Sequence, residues 1–200
     1  MIKGWFRAVS LTAALLTAGA VAYAEDPAVA PVQSFYDALT ANMKQGKALG
    51  LKGRYDRLKP VLEASFDMPG MTRLSVGPAW NKMSDAEHAA LTRALTRYTV
   101  ASYAANFNSF DGEKFVVEPA AKDRGADKVV FSKLVTKDQT VTFNYLMRNN
   151  GSGWKVIDIY LEGFVSQILK QRADFMASVA KGAPALEKQI DQLADNLMKE

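Results

Sequence analysis

The sequence predicts an α+β domain in which helices gather on one side of a single antiparallel sheet. Three observations predict it. Apolar residues recur at helical spacing up to about Asn106, alternate with polar ones over 114–161, and return to helical spacing from Phe164. The alternating segments are joined by hairpin-length connections, so the sheet is a four-stranded meander.

In the first helix Val32, Phe35, Tyr36, Leu39 and Met43 share one stripe, and Gly46 and Gly50 mark its end. A second helix is predicted over 54–65 with Leu58, Val61 and Leu62 on one side, and Pro60 inside it predicts a kink or a late start. A short helix covers 69–75, closed by Gly77-Pro78. Ser84-Asp85-Ala86-Glu87 then reads as a capping box, in which hydroxyl and carboxylate satisfy each other's free backbone donors. Behind it Leu91, Leu95, Tyr98, Ala101 or Ser102, and Ala105 make one apolar stripe. Strands are predicted over 115–120, 128–136, 139–148 and 154–161, separated by Asp123-Arg124-Gly125, Lys137-Asp138 and the run Asn149-Asn150-Gly151-Ser152-Gly153. A helix restarts with Phe164, Val165, Ile168, Leu169, Phe175, Met176 and Val179 and stops at Gly182. Pro184 opens the last one, with Leu186, Ile190, Leu193 and Leu197 on one face.

The N-terminus reads as an export signal. Lys3 and Arg7 precede a weakly apolar run, too short to cross about 30 Å of hydrocarbon, and Ala22-Tyr23-Ala24 supplies the small residues of a cleavage site before Glu25. The expected organisation is a signal peptide over 1–24 and one domain over 25–200. Losing Lys3 and Arg7 takes 25 basic residues to 23 against 21 acidic ones, a net charge of +2 with no Arg-rich arm, so nucleic acid is not an expected partner. Lys44, Lys47, Lys52, Arg54, Arg57 and Lys59 form a loose basic stretch, read as solvated helix faces or as an attraction to anionic head groups or an acidic partner. With no cysteine and one histidine, thiol chemistry and a transition-metal site have almost no ligands to work with, and neither a metal nor a cofactor is expected.

Catalytic constellations are scarce. His88 sits in the first turns of the capped helix and is expected to face water. Asp158, among apolar neighbours on the last strand, reads either as a structural carboxylate bonded to a backbone amide or Arg, or as a buried acid of raised pKa able to move protons. Val141, Phe143, Tyr145 and Met147 give the third strand one wholly apolar face, which suits a solid core or the wall of a cavity for an apolar ligand.

Two blocks carry a family resemblance. The run from Phe66-Asp67-Met68-Pro69-Gly70 to Val76-Gly77-Pro78-Ala79-Trp80, followed by Ser102-Tyr103-Ala104, resembles the "FD…M…LG..W" and "TYA" segments of the MlaC, or toluene-tolerance, family. Trp154-Lys155-Val156-Ile157-Asp158-Ile159-Tyr160-Leu161-Glu162-Gly163 is similar to that family's "WKVYDV..EG", and Gln171-Arg172-Ala173-Asp174-Phe175 stands where it usually reads "YR..F". The chain departs from the phospholipid carriers at Val76-Gly77 and at Phe164-Val165-Ser166-Gln167-Ile168-Leu169. In this it resembles the hopanoid-associated HpnM branch.

The resemblance implies a periplasmic carrier, not an enzyme, with a curved NTF2-like sheet and helices around an internal lipid cavity. Its cargo would be a phospholipid or a hopanoid. Its partners would be an inner-membrane transporter, RND-type or an ABC/MCE complex, and an outer-membrane lipoprotein complex. The energetics agree: a sixteen-carbon chain exposed to water costs about 13 kcal/mol at about 0.8 kcal/mol per methylene, which a protein cavity removes without covalent chemistry. On facing and family architecture, the cavity is expected to be lined by Val130, Leu134, Phe143, Tyr145, Ile157 and Ile159 from strands and Leu91, Leu95 and Tyr98 from a helix, with Trp80 and Phe107 closing its ends. Two rival readings remain: a proton-transfer enzyme with Asp158 as base and Tyr145 or Tyr160 as donor, and an adaptor without cargo.

Overall fold

The computed structural model describes residues 25–199. The expected signal peptide lies outside them. Helix α1 (Ala30–Lys44) buries Val32, Phe35, Tyr36, Leu39 and Met43, the stripe its spacing predicts. Helix α2 (Gly46–Ser65) follows directly and is broken at Gly50, whose φ of 60° and ψ of 175° suit only a residue without a side chain. The kink therefore falls at Gly50 and not at Pro60.

Arg54 corrects the reading of the basic stretch. The five other cations in it are exposed, but Arg54 is only 7% exposed, and it donates from Nε to the Ala104 carbonyl and from Nη1 to the Gly46 carbonyl, both at 2.7 Å. A carbonyl in the last turn of a helix has no intrahelical donor and lies at the negative end of the helix dipole, so a buried guanidinium satisfies it well.

Helix α3 (Met68–Val76) is capped by Asp67, whose Oδ1 accepts from the Gly70 amide at 3.0 Å, and a 3₁₀ segment (Gly77–Lys82) leads to helix α4 (Asp85–Asn106). Both halves of the predicted capping box form: Glu87 accepts from the Ser84 amide at 2.8 Å, and Ser84 Oγ accepts from the Glu87 amide at 3.4 Å.

Seven strand segments follow: β1 (Lys114–Val117), β2 (Lys122–Arg124), β3 (Asp127–Val130), β4 (Ser132–Val135), β5 (Thr140–Asn149), β6 (Trp154–Leu161) and β7 (Val165–Ser166). They make the four predicted rows plus a short fifth. β3 and β4 are one row interrupted at Phe131, and both pair with β5: β4 along Thr140, Val141 and Thr142, β3 along Tyr145, Leu146 and Met147. β1 and β2 form the outer row, while β6 and then β7 extend the other side, all antiparallel. A further irregularity between β5 and β6 falls at Leu146/Met147, and such interruptions let the sheet curve. Phe164 and Val165 do not begin the next helix as predicted. Val165 lies in β7, and helix α5 (Gln167–Val179) starts after Ser166, whose Oγ accepts from the Leu169 amide at 3.0 Å. Helix α6 (Ala183–Leu197) closes the fold and buries Leu186 and Ile190.

The concave face of the sheet presents Val130, Tyr145, Met147, Val156 and Ile159 to Phe35, Leu39, Leu62 and Phe66 from the helices, in one continuous core. Each fully buried large side chain there contributes about 2 to 3 kcal/mol. The helical layer is also stitched to the edge of β6, where Phe66 bridges Val156 and the Asp67 amide donates to the Val156 carbonyl at 2.9 Å.

Candidate functional site

Between the sheet and the helices lies an interior cavity of about 40 Å³, lined by Tyr36 and Leu39 of α1, Tyr103 of α4, Phe107 just after it, Phe115 of β1, and Phe143 and Tyr145 of β5. Its walls are rings in mutual contact. Tyr36 stacks on Phe115 at 4.4 Å between centroids and meets Tyr145 edge-on at 5.7 Å, while Phe107 lies 5.7 Å from Tyr103 and 6.0 Å from Phe115. Phe107, Phe115 and Phe143 are partly exposed and form the outer rim, whereas Tyr36 and Tyr145 are buried.

The polar atoms in this apolar space are hydroxyls. Tyr36 Oη lies 2.8 Å from Ser132 Oγ, and Ser132 donates to the Phe143 carbonyl. Burial pushes the Tyr36 phenol up to about 12, against the lowering effect of its hydrogen bonds. Burial also raises Tyr103, with Tyr36 adding to the rise and Tyr145 opposing it, and raises Tyr145, which both other phenols push further up. All three are therefore neutral at physiological pH.

Of the side chains predicted to line a cavity, the fold brings Phe107, Phe143 and Tyr145 together there. Leu91, Leu95, Val130 and Ile159 are buried in the surrounding core, and Tyr98 packs against it. Leu134 and Ile157 are buried but lie outside the cavity wall. Trp80 is elsewhere, stacked on His88 at 3.9 Å. His88, expected to face water, is held by that ring and by the Trp80 carbonyl 2.8 Å from its Nε2. Sequence reasoning missed Tyr36, Leu39, Tyr103 and Phe115 as wall residues. The first two were legible only as core, since a helical stripe looks the same against a solid or a hollow interior.

Asp158 has a structural task. It is 6% exposed; its Oδ1 accepts from the Ile159 amide at 2.7 Å and the Ile168 amide at 3.1 Å, and its Oδ2 from Ser166 Oγ at 2.5 Å. The strand register pairs it with Leu146, whereas Tyr145 pairs with Ile159, so Asp158 and Tyr145 occupy opposite faces of the sheet. The Tyr160 hydroxyl accepts from Arg124 at 2.9 Å. The carboxylate thus ties the start of α5 to β6 and is not aimed into the cavity.

Other residues of the two sequence blocks are joints as well. Gly77 ends α3 at φ 74° and ψ −146°, and a Cβ there would stand 3.1 Å from Arg172 Nε, which itself donates to the Leu74 carbonyl at 3.0 Å. Phe66 packs edge-on against Phe35 at 5.0 Å and faces Tyr103 at 6.4 Å. On its other side it floors a surface groove of about 520 Å³, flanked by Lys59, Arg93, Arg97 and Lys155. Among the described residues no helix is long and apolar enough to cross a membrane.

This geometry, a curved antiparallel sheet closed by helices over an aromatic interior, matches a solved fold. The structure of a phospholipid-binding protein from Ralstonia solanacearum, in complex with a phospholipid, superposes with a TM-score of 0.75 at 20% identity, covering 87% of this chain and all of the other. The chain belongs to the MlaC protein family, whose sequence profile matches residues 33–198. No curated protein matches the sequence.

Proposed function

We propose that this protein is a periplasmic carrier that buries the apolar part of a membrane lipid, phospholipid or hopanoid-type, between its sheet and its helices and shuttles it between inner and outer membranes. The observation that carries the reading is a predominantly apolar, ring-walled cavity between the sheet and the helices of a chain of the MlaC family. Family membership supports lipid binding and transport over catalysis, and Asp158, the best candidate base, is engaged at a helix start.

Phe107, Phe143 and Tyr145 contact the lipid first, and the core residues behind them, Leu91, Leu95, Tyr98, Val130, Leu134, Ile157 and Ile159, yield to accommodate it. A cavity of 40 Å³ has about the room three water molecules need, so an alkyl chain enters only as the rim rings of Phe107, Phe115 and Phe143 turn aside. Export follows from the signal read over 1–24. Delivery implies an inner-membrane transporter, RND-type or ABC/MCE, and an outer-membrane lipoprotein complex as partners.

Native mass spectrometry with lipid extraction on the mature protein from periplasm tests this. A stoichiometric lipid is the expected result, and its mass separates phospholipid from hopanoid. Phe143→Asp, on the partly exposed rim, should remove the lipid and leave the fold intact. A wild-type protein that stays lipid-free after incubation with membranes would overturn the reading.

A further inference from the structure

Helix α5 is apolar on two sides. Ile168 and Phe175 are buried in the core, while Leu169, Ala173 and Met176, spaced i, i+4 and i+7, share the outer side. Leu169 is 62% exposed and Met176 70%; with Phe164 at 78% they are the three most exposed large apolar side chains among the described residues. Phe164 follows the turn between β6 and β7, where Glu162 and Gly163 both take positive φ, 53° and 80°. Leu169 and Met176 also form one bank of an apolar groove of about 420 Å³, whose other bank is Val76, Pro78 and Ala79. No residue of this face lines the aromatic cavity. An exposed apolar face rimmed by polar groups marks a docking surface.

The charge around the face selects its occupant. The two segments that build it, 68–82 and 165–181, hold five basic residues, Arg73, Lys82, Lys170, Arg172 and Lys181, and one acid, Asp174. Of the 23 basic and 21 acidic residues in 25–200, that leaves 18 basic against 20 acidic for everything else, so the positive charge of the chain is concentrated here. Among the described residues only Lys170 of the five is paired with a carboxylate, Asp174 at 2.8 Å. Arg172 gives Nε and Nη2 to the Leu74 carbonyl, which fixes its charge at the groove. Two copies meeting through this face would set the cations against each other. We infer that the face docks on an anionic phospholipid surface, with Phe164, Leu169 and Met176 entering the acyl boundary and the cations staying at head-group level. Such a surface is anionic at the head groups and apolar just beneath, so one approach satisfies both the charges and the exposed side chains.

The test is flotation of the mature protein with vesicles of dioleoylphosphatidylcholine, alone or mixed with dioleoylphosphatidylglycerol. The wild type should float with the anionic vesicles, more weakly with the neutral ones, and lose the difference in high salt. Phe164→Ser should weaken binding to the anionic vesicles about tenfold. Arg73→Gln and Lys181→Gln should each weaken it about fivefold. All three side chains are exposed, and circular dichroism confirms that each variant is folded. Val116→Ser removes an exposed apolar side chain from β1, at the opposite edge of the sheet from β7, and should change nothing. No wild-type binding to the anionic vesicles overturns the inference and leaves the face to an acidic protein partner. Binding that survives Phe164→Ser, or an equal loss in Val116→Ser, also overturns it, as does a dimer that Phe164→Ser dissociates. Protein that carries a lipid but ignores the vesicles leaves the carrier reading standing, whereas protein that binds vesicles and never holds a lipid overturns the carrier reading alone.

Discussion

Asp158 offers the sharpest separation between a structural and a chemical role. Its carboxylate accepts three hydrogen bonds in a nearly buried position, two of them from the Ile168 amide and the Ser166 hydroxyl at the start of α5. Hydrogen bonds to a charged group contribute about 1.5–3 kcal/mol each, and a buried amide left without a partner costs about 1–3 kcal/mol. These terms overlap, so Asp158→Ala should cost about 4 kcal/mol, a large part of a typical domain's stability. Asp158→Asn should cost only about 1–2 kcal/mol. The Asn carbonyl still receives both amides, and Ser166 Oγ, already accepting from the Leu169 amide, has a second lone pair for the new NH₂. Urea unfolding followed by circular dichroism measures both, with lipid occupancy measured on the same samples. An Asp158→Ala protein within about 1 kcal/mol of wild type would refute the argument. So would an Asp158→Asn protein of normal stability that no longer binds lipid.

Three more outcomes follow from the same contacts. Arg54→Leu strips donors from the Ala104 and Gly46 carbonyls and should cost about 3–5 kcal/mol in urea unfolding; a loss below about 1 kcal/mol would show that water replaces the guanidinium. Gly77→Ala forces a side chain into a backbone region that only glycine occupies comfortably and against Arg172, for about 2–3 kcal/mol and a clear drop in melting temperature. Asp26 is pushed up by burial but held below its ordinary value by the Lys128 and Ala28 hydrogen bonds and the Lys128 charge. A depressed carboxylate contributes stability above its unfolded pKa and loses it as pH falls through its folded one, so Asp26→Asn should flatten the stability curve below about pH 4. An unchanged acid limb would dismiss the pair.

The elements were largely legible because each rests on a local signal. The capping box at Ser84 and Glu87 and the period-two run over 139–148 need no tertiary information, and both stand where they were predicted. What the sequence hides is relational. The alternation passes through Phe131 without a mark, yet the row breaks there as one partner strand, β5, serves both pieces. Arg54 reads as one more surface cation until the end of α4, fifty residues on, arrives over it. At the site, Phe143 and Tyr145 could be found from strand facing and family resemblance, but Tyr36 comes from a helix stripe that points equally well at core, and Tyr103 lies off the apolar stripe read for its helix. The Tyr36 hydroxyl meets Ser132, ninety-six residues on, only in three dimensions.

The lashing of the chain's beginning bears on how it can be processed. The Asp26 amide donates to the Pro119 carbonyl at 3.2 Å, its side chain holds the Ala28 amide and Lys128, and Ala28 and Val29 are fully buried. A peptidase that cuts after Ala24 leaves a single loose residue ahead of this lash. Trimming two residues further would delete Asp26 and release the lead into α1, the helix that carries Tyr36. The tolerance for ragged N-terminal maturation is thus about one residue, and proteolytic clipping there would be felt at the cavity wall.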